Sequence, residues 1–223
     1  MPEPLLPMQQ FRVDQAKVGD ENERVAGRDE HVVTRDSFRR LCYIGWLRES
    51  IISLFMRLIE LRSRIDALNL PSIHALDPLF TFSLMRKRYE KPRVHQGGDI
   101  FNFDMVFCPI NIESNHWALI VLHHSQKVLE YYDSMGGTNE AAIAAINEYV
   151  VVEHTVVRNE LIEPYKVVLK TDIPLQENGR DCGVFVCLYA ERLSRRAAFD
   201  FNQSHIPLYR QRIAYELLTG RLM

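Results

Sequence analysis

Apolar positions recur along this chain in more than one rhythm. Leu47, Ile51, Leu54, Phe55, Leu58 and Leu61 fall at helical spacing, so GWLRESIISLFMRLIELRSR predicts a long amphipathic helix with one face in the core. A shorter helix, RDSFRRL, is predicted just upstream with Thr34 as its cap, and Pro71-Ser72 opens another that runs to about Met85. The rhythm then changes. DMVFCPINI, HWALIVLHH and KVLEYYDSM read as successive strands, the last ended by Gly136-Gly137. HWALIVL is apolar at nearly every position, which predicts a strand buried on both faces in mid-sheet. Thr138 then caps a predicted helix with Ile143, Ile146 and Val150 on one face, and YKVVLK forms a further strand. A helix beginning near Pro207, with Ile213, Leu217 and Leu218 on one face, closes the chain. The pattern predicts an α+β domain: a mostly antiparallel central sheet flanked by helices.

Within that frame the stretch IPLQENGRDCGVFVCLY, residues 173–189, stands out. Ile173-Pro174 ends an extended segment, Glu177-Asn178-Gly179-Arg180 is turn chemistry, and Asp181 stands where a helix N-cap is expected. Val184, Phe185, Val186 and Leu188 then form an apolar run suited to a core. Cys182 therefore falls in the first helical turn, where backbone N–H groups point outward and the macrodipole favours an anion. The side-chain amide of Gln176 lies upstream, where it could help hold an oxyanion. A cysteine in such a run is more often inert core than nucleophile, so the rest of the chain must decide.

Composition narrows the field. The 223 residues are 47% hydrophobic, enough for one domain of good size, and the net charge of −2 gives no ground for bulk nucleic-acid binding. Cys42, Cys108, Cys182 and Cys187 show no CxxC, and His123-His124 has no cysteine or carboxylate pattern around it, so free thiols are expected and no metal site. No run approaches the roughly 18 apolar residues of a membrane span, and MPEPLLPMQQ lacks the features of a signal peptide. These readings predict a soluble protein of the nucleus or cytoplasm. Residues 1–30, with Pro2, Pro4 and Pro7 followed by GDENERVAGRDEH, read as an extended arm with little core, leaving residues 31–223 as the domain proper. The basic run RKRYEKPR fits a solvated face, a patch for an acidic partner or a nuclear address.

Chemistry enters with the hairpin HWALIVLH–QKVLEYYD. A tight turn at His124-Ser125 places His116, at the start of one strand, opposite Asp133 at the end of the next, on the same sheet face. A carboxylate beside a histidine fixes its tautomer and stabilises its imidazolium form, which is what an activated thiol needs from its base. Either residue alone is more commonly a surface group. What separates the readings is the joint arrangement: a His-Asp pair at one sheet edge, together with a cysteine at a helix start behind a glutamine-bearing loop. The order His116, Asp133, Gln176, Cys182 is the reverse of papain's cysteine-first order.

At these residues the chain resembles the ubiquitin-like-protein-specific cysteine proteases of the sentrin (SUMO) type. The likeness runs from about residue 30 to the C-terminus through WLRESIISLFM, LPSIHALDPLF, HWALIVL, YYDSMGG, LQENGRDCGVFVC and FNQSHIPLYRQRIAYELL, in order. It implies a papain-like fold variant with the adenain-like order His-Asp-Gln-Cys. It also implies Cys182 as nucleophile, His116 as general base and acid, Asp133 as its orienting carboxylate and Gln176 as oxyanion donor. The family's two tryptophans over the substrate's diglycine match Trp46 and Trp117, whose indole walls would admit only glycine. Its acidic contact to the body of the ubiquitin-like protein falls on Glu49, a glutamate where the family has aspartate, after Arg48 where it has asparagine. RVHQGGDIF stands where the family often has an aromatic-basic segment, here without its tryptophan.

The resemblance implies a monomeric hydrolase, without cofactor, that cleaves after the Gly-Gly of SUMO in precursors and conjugates. Three other readings stay open: a protease for another modifier such as NEDD8, an acyltransferase of similar His-acid-Cys layout, and an inactive SUMO-binding module. Cys187, five residues past Cys182, is expected in the core with Cys42 and Cys108.

Overall fold

The computed structural model describes residues 3–28, 30–86 and 99–223. Nearly all of RKRYEKPR, and RVHQGG of the following segment, lie outside the described residues. The periodic helices form as expected. Thr34 accepts the Ser37 N–H and caps α2 (Arg35–Cys42), and α3 (Glu49–Ile65) buries Ile51, Ile52, Leu54, Phe55, Leu58 and Ile59. Later come α6 (Cys182–Leu193) and α7 (Ile206–Thr219), the latter with Pro207 in its first turn.

Five strands make the central sheet: β3 (Ile73–Ala75), β4 (Met105–Ile112), β5 (His116–His123), β6 (Val128–Tyr132) and β7 (Lys166–Lys170), adjacent in that order. The two inner pairings, β4–β5 and β5–β6, are antiparallel as expected. The two outer ones, β3–β4 and β6–β7, are parallel, so the sheet is mixed. Central β5 is buried on both faces. Trp117, Leu119 and Val121 join the core under α3 and α6, while Ala118, Ile120 and Leu122 join a second core under α4 (Pro78–Arg86) and α5 (Glu140–Arg158). That division explains why HWALIVL carries no polar alternation.

Three expectations are corrected. The segment opened by Pro71-Ser72 is not one helix to Met85: β3 comes first and α4 starts at Pro78. Ser72 is fixed by Asp104, which accepts its N–H at 2.7 Å and its hydroxyl at 2.8 Å, while Glu60 accepts the Ala75 N–H at 2.7 Å. A three-residue strand is too short to show a period of two. The cap of α5 is Asn139, not Thr138; its side chain accepts the Ala142 N–H at 2.9 Å.

Residues 1–30 are not an extended arm. They hold α1 (Pro7–Ala16), which packs on α7, and β1 (Arg24–Arg28), paired antiparallel with β2 (His31–Thr34), so a boundary at residue 30 would cut a hairpin. The apolar signal is weak because α1 buries only Val13. The polar stretch after it is held instead by arginines. Arg35 donates to the carbonyls of Asp20, at 3.0 Å, and Ala16, and pairs with Glu23; Arg39 donates to those of Lys17 and Gly19 at 2.7 and 2.8 Å. Val13→Ala is expected to lower unfolding free energy by about 1.5 kcal/mol, the two methyl groups' worth of burial, measured by urea denaturation. An arm without core contacts would show no change.

Candidate active site

Cys182 is the first residue of α6 and is 2% exposed, packed where the helix meets the sheet. Asp181 occupies the N-cap position, yet its side chain makes no cap hydrogen bond. One carboxylate oxygen accepts Arg210 Nε at 3.0 Å and Nη2 at 2.6 Å. The other accepts Asn178 Nδ2 at 2.7 Å and Gln203 Nε2 at 2.8 Å. The carboxylate is thus directed away from the first-turn N–H groups, and the dipole end of α6 is left turned toward the thiol.

His116 and Asp133 meet, though by a different register from the one expected. The β5–β6 loop spans residues 124–127, with Lys127 left-handed at φ 52°, and His123 pairs with Val128. That displaces the register by two residues from a tight turn at His124-Ser125. A shift of two leaves every side chain on its own sheet face, so His116 reaches Asp133 diagonally instead of directly. The His116 Nε2 to Asp133 Oδ1 distance is 2.7 Å. Asp133 Oδ1 also accepts the Met135 N–H at 2.8 Å, and Tyr131 donates its hydroxyl to Oδ2 at 3.4 Å. Burial works to raise the Asp133 pKa, but the His116 bond and these donors outweigh it and hold the group ionised, below its ordinary value.

Cys182 also acts on the imidazole, favouring its charged form. With Nε2 committed to Asp133, Nδ1 is the nitrogen available to sulfur. Burial is the largest influence on His116 and lowers its pKa; the bond to Asp133 and the nearby Cys182 together outweigh it and bring the value up to about 9. Gln176 joins from the other side. Its backbone N–H donates to the Ser134 carbonyl at 2.8 Å, its Oε1 accepts the Ser134 hydroxyl at 2.6 Å, and its Nε2 donates to the Asn178 carbonyl.

The two tryptophans differ in setting. Trp46 is 48% exposed, with its Nε1 donating to the Gly179 carbonyl at 2.8 Å. Trp117 is 4% exposed, with its Nε1 donating to the Leu47 carbonyl at 3.0 Å. One indole is bonded to the cysteine loop and the other to the residue after Trp46. Gly183 completes the join, since a Cβ there would lie 2.9 Å from that of Leu47. Glu49, the first residue of α3, is exposed. Sequence reasoning missed Ser134 and Arg210, whose partners lie 42 and 29 residues away, and read Asn178 only as turn chemistry, although it holds both Gln176 and Asp181. Among the described residues no group of three or more His, Cys, Asp or Glu side chains is arranged to hold a metal.

A thiol at a helix start, acting on an imidazole that is itself held by a carboxylate, behind a loop whose glutamine amide is fixed, can carry out acyl transfer through a thioester. The model of the Ulp1 protease family, C-terminal catalytic domain, matches residues 45–222. The chain belongs to the Ulp1 protease family. It is 32% identical over 208 residues to a sentrin-specific protease of Caenorhabditis elegans, covering 92% of this chain and 30% of that protein. To sentrin-specific protease 2 of Rattus norvegicus it is 32% identical over 196 residues, covering 86% of this chain and 33% of the relative. The chain therefore spans about a third of the length of the curated relatives it matches. The crystal structure of the C-terminal Ulp1 protease domain in complex with Smt3, the yeast ortholog of SUMO, superposes with a TM-score of 0.83 at 28% identity, covering 98% of this chain and 97% of that one. The α+β fold is that of the Ulp1 catalytic domain, a papain-like variant.

In this Ulp1-family site the raised His116 pKa has a measurable sign. Its folded value, about 9, lies above the ordinary histidine value of 6.5, so the imidazolium contacts contribute fully below about pH 6.5 and are lost as pH rises through 9. An NMR titration of the His116 ring is expected to give a midpoint near 9, moved down in Asp133→Asn. A midpoint that ignores Asp133→Asn would mean that the 2.7 Å contact does not govern the imidazole.

Proposed function

We propose that the chain is the catalytic part of a cysteine protease that cuts after the C-terminal Gly-Gly of SUMO, releasing it from lysine isopeptides and maturing its precursors. One observation supports this above the others: His116 is held 2.7 Å from Asp133 and is influenced by Cys182, on a fold shared with a protease domain whose structure holds the SUMO ortholog Smt3. In the proposed reaction the Cys182 sulfur attacks the terminal glycine carbonyl, and its proton resides on His116. The oxyanion is held by Gln176 Nε2 and the Cys182 N–H. His116 then protonates the departing amine as the C–N bond breaks, leaving a thioester. Water, deprotonated by His116, hydrolyses the thioester and restores the thiol. Side chains and water carry every step, so no metal or cofactor enters the scheme.

Trp46 and Trp117 would wall the diglycine path, excluding any residue with a Cβ, and Glu49 would meet the body of the modifier. The catalytic unit on this reading includes α1 and β1, which pack with the rest, and acts as a monomer. A reducing nuclear or cytoplasmic compartment fits four free, buried cysteines.

The test is release of a fluorogenic amide from the C-terminus of SUMO, NEDD8 and ubiquitin in parallel. SUMO is expected to be the substrate turned over. Cys182→Ala should abolish release, His116→Ala should cost about 10²–10⁴, and Gln176→Ala about 10²–10³. Wild-type turnover by Cys182→Ala would overturn the mechanism, preference for NEDD8 would overturn the substrate, and SUMO binding without any turnover would make the chain a binding module.

A further inference from the structure

The turn after β6 carries two residues in succession, Asp133 and Ser134, whose side chains go to different partners. Asp133 holds His116. Ser134, 1% exposed, holds Gln176 twice: its carbonyl accepts the backbone N–H at 2.8 Å and its hydroxyl donates to Oε1 at 2.6 Å. The turn is closed by the Gly136 N–H donating to the Asp133 carbonyl at 3.0 Å, with Gly136 at φ 71°, where a side chain would strain the backbone. A glutamine amide has an acceptor end and a donor end of nearly the same shape, and only the donor end can stabilise an oxyanion. The Asn178 carbonyl can only accept, so it turns the NH₂ group toward itself and takes one of its two hydrogens. The Ser134 hydroxyl can then only donate to Oε1, and the second amide hydrogen is left for a ligand.

We propose that Ser134 is a positioning residue for the oxyanion site: it fixes the Gln176 amide, so that one turn aligns the acid–base His116 through Asp133 and the oxyanion donor Gln176 through Ser134. The inference rests on the protease reading above. Removing the hydroxyl leaves the backbone bond between Gln176 and Ser134, so the loop keeps one anchor while the amide loses the partner on its acceptor end. The loss should therefore fall on stabilisation of the tetrahedral state, not on the thiol or on substrate binding.

The experiment compares Ser134→Ala in the wild-type and Gln176→Ala backgrounds, using a diglycine amide of SUMO and, separately, alkylation of Cys182 by iodoacetamide, which forms no oxyanion. In the wild-type background kcat is expected to fall about tenfold, the size of one net hydrogen bond, with KM and the alkylation rate unchanged. In the Gln176→Ala background the same substitution is expected to have no further effect. Equal falls in both backgrounds, a parallel fall in alkylation, or no fall in the wild-type background would each overturn the proposal. If Ser134→Ala does not fold, Ser134→Cys, which keeps the volume and weakens the donor, is read by the same rates. A wild-type chain without turnover would sink the protease reading and this link with it, whereas an active chain with additive losses would sink the link alone.

Discussion

The Arg210–Asp181 ion pair sets where the two sides of the site lie. Arg210, 4% exposed, comes from the closing helix and uses its whole guanidinium: Nε and Nη2 on Asp181, Nη1 on the carbonyls of Arg40, Leu41 and Tyr43, and Nη2 again on that of Gly45. Asp181 precedes Cys182, and Gly45 precedes Trp46. One side chain therefore spans the loop that delivers the sulfur and the loop that delivers the indole. The charges also suit the helix ends, a cation at the C-terminal carbonyls of α2 and an anion at the start of α6. Such a buried pair adds little net stability, but losing one partner strands a charge, at about 3–5 kcal/mol. Its effect here is geometric.

The sheet supplies the other half of the geometry. Because β5 is covered on both faces, by α3 and α6 on one side and α4 and α5 on the other, its position is fixed by two cores at once. His116 stands at the end of that fixed strand and is only partly buried, with Asp133 just past the neighbouring strand. Gly183 against Leu47 and the Trp117–Leu47 bond then seat the cysteine helix, the strand and the Trp46 loop on one another. The Cys182 sulfur, in a crowded place, thus rests on a rigid frame, while Trp46 is exposed to solvent.

Much of this was legible in the order of residues, for reasons that can be named. Long periodic helices such as α3 and an all-apolar strand such as β5 carry strong signals. A tight turn would pair His116 directly with Asp133; the longer observed turn displaces the register by two, which preserves the face, whereas a displacement of one would send the two side chains to opposite sides. What escaped was short or polar. β3 has three residues, α1 buries one side chain, and the segment after α1 is satisfied by Arg35 and Arg39 through carbonyls that no pattern marks. Ser134 and Arg210 escaped for a related reason. Each acts through partners distant in the chain, 42 residues away for the Ser134–Gln176 bond and 29 for Arg210–Asp181, and nothing local in the sequence announces such a bond.

All of these contacts converge on one sulfur atom among four cysteines. Burial raises the thiol of Cys42 to about 12, and pushes those of Cys108 and Cys187 higher still, so each stays protonated and inert at neutral pH. Cys182 alone meets an imidazole held by a carboxylate. The most direct test is to react the chain with SUMO carrying a vinyl sulfone in place of its terminal carboxylate and to map the adduct by peptide mass spectrometry. A single adduct on Cys182, blocked when the protein is first unfolded, is the predicted result; an adduct on another cysteine, or none on the folded protein, would contradict it.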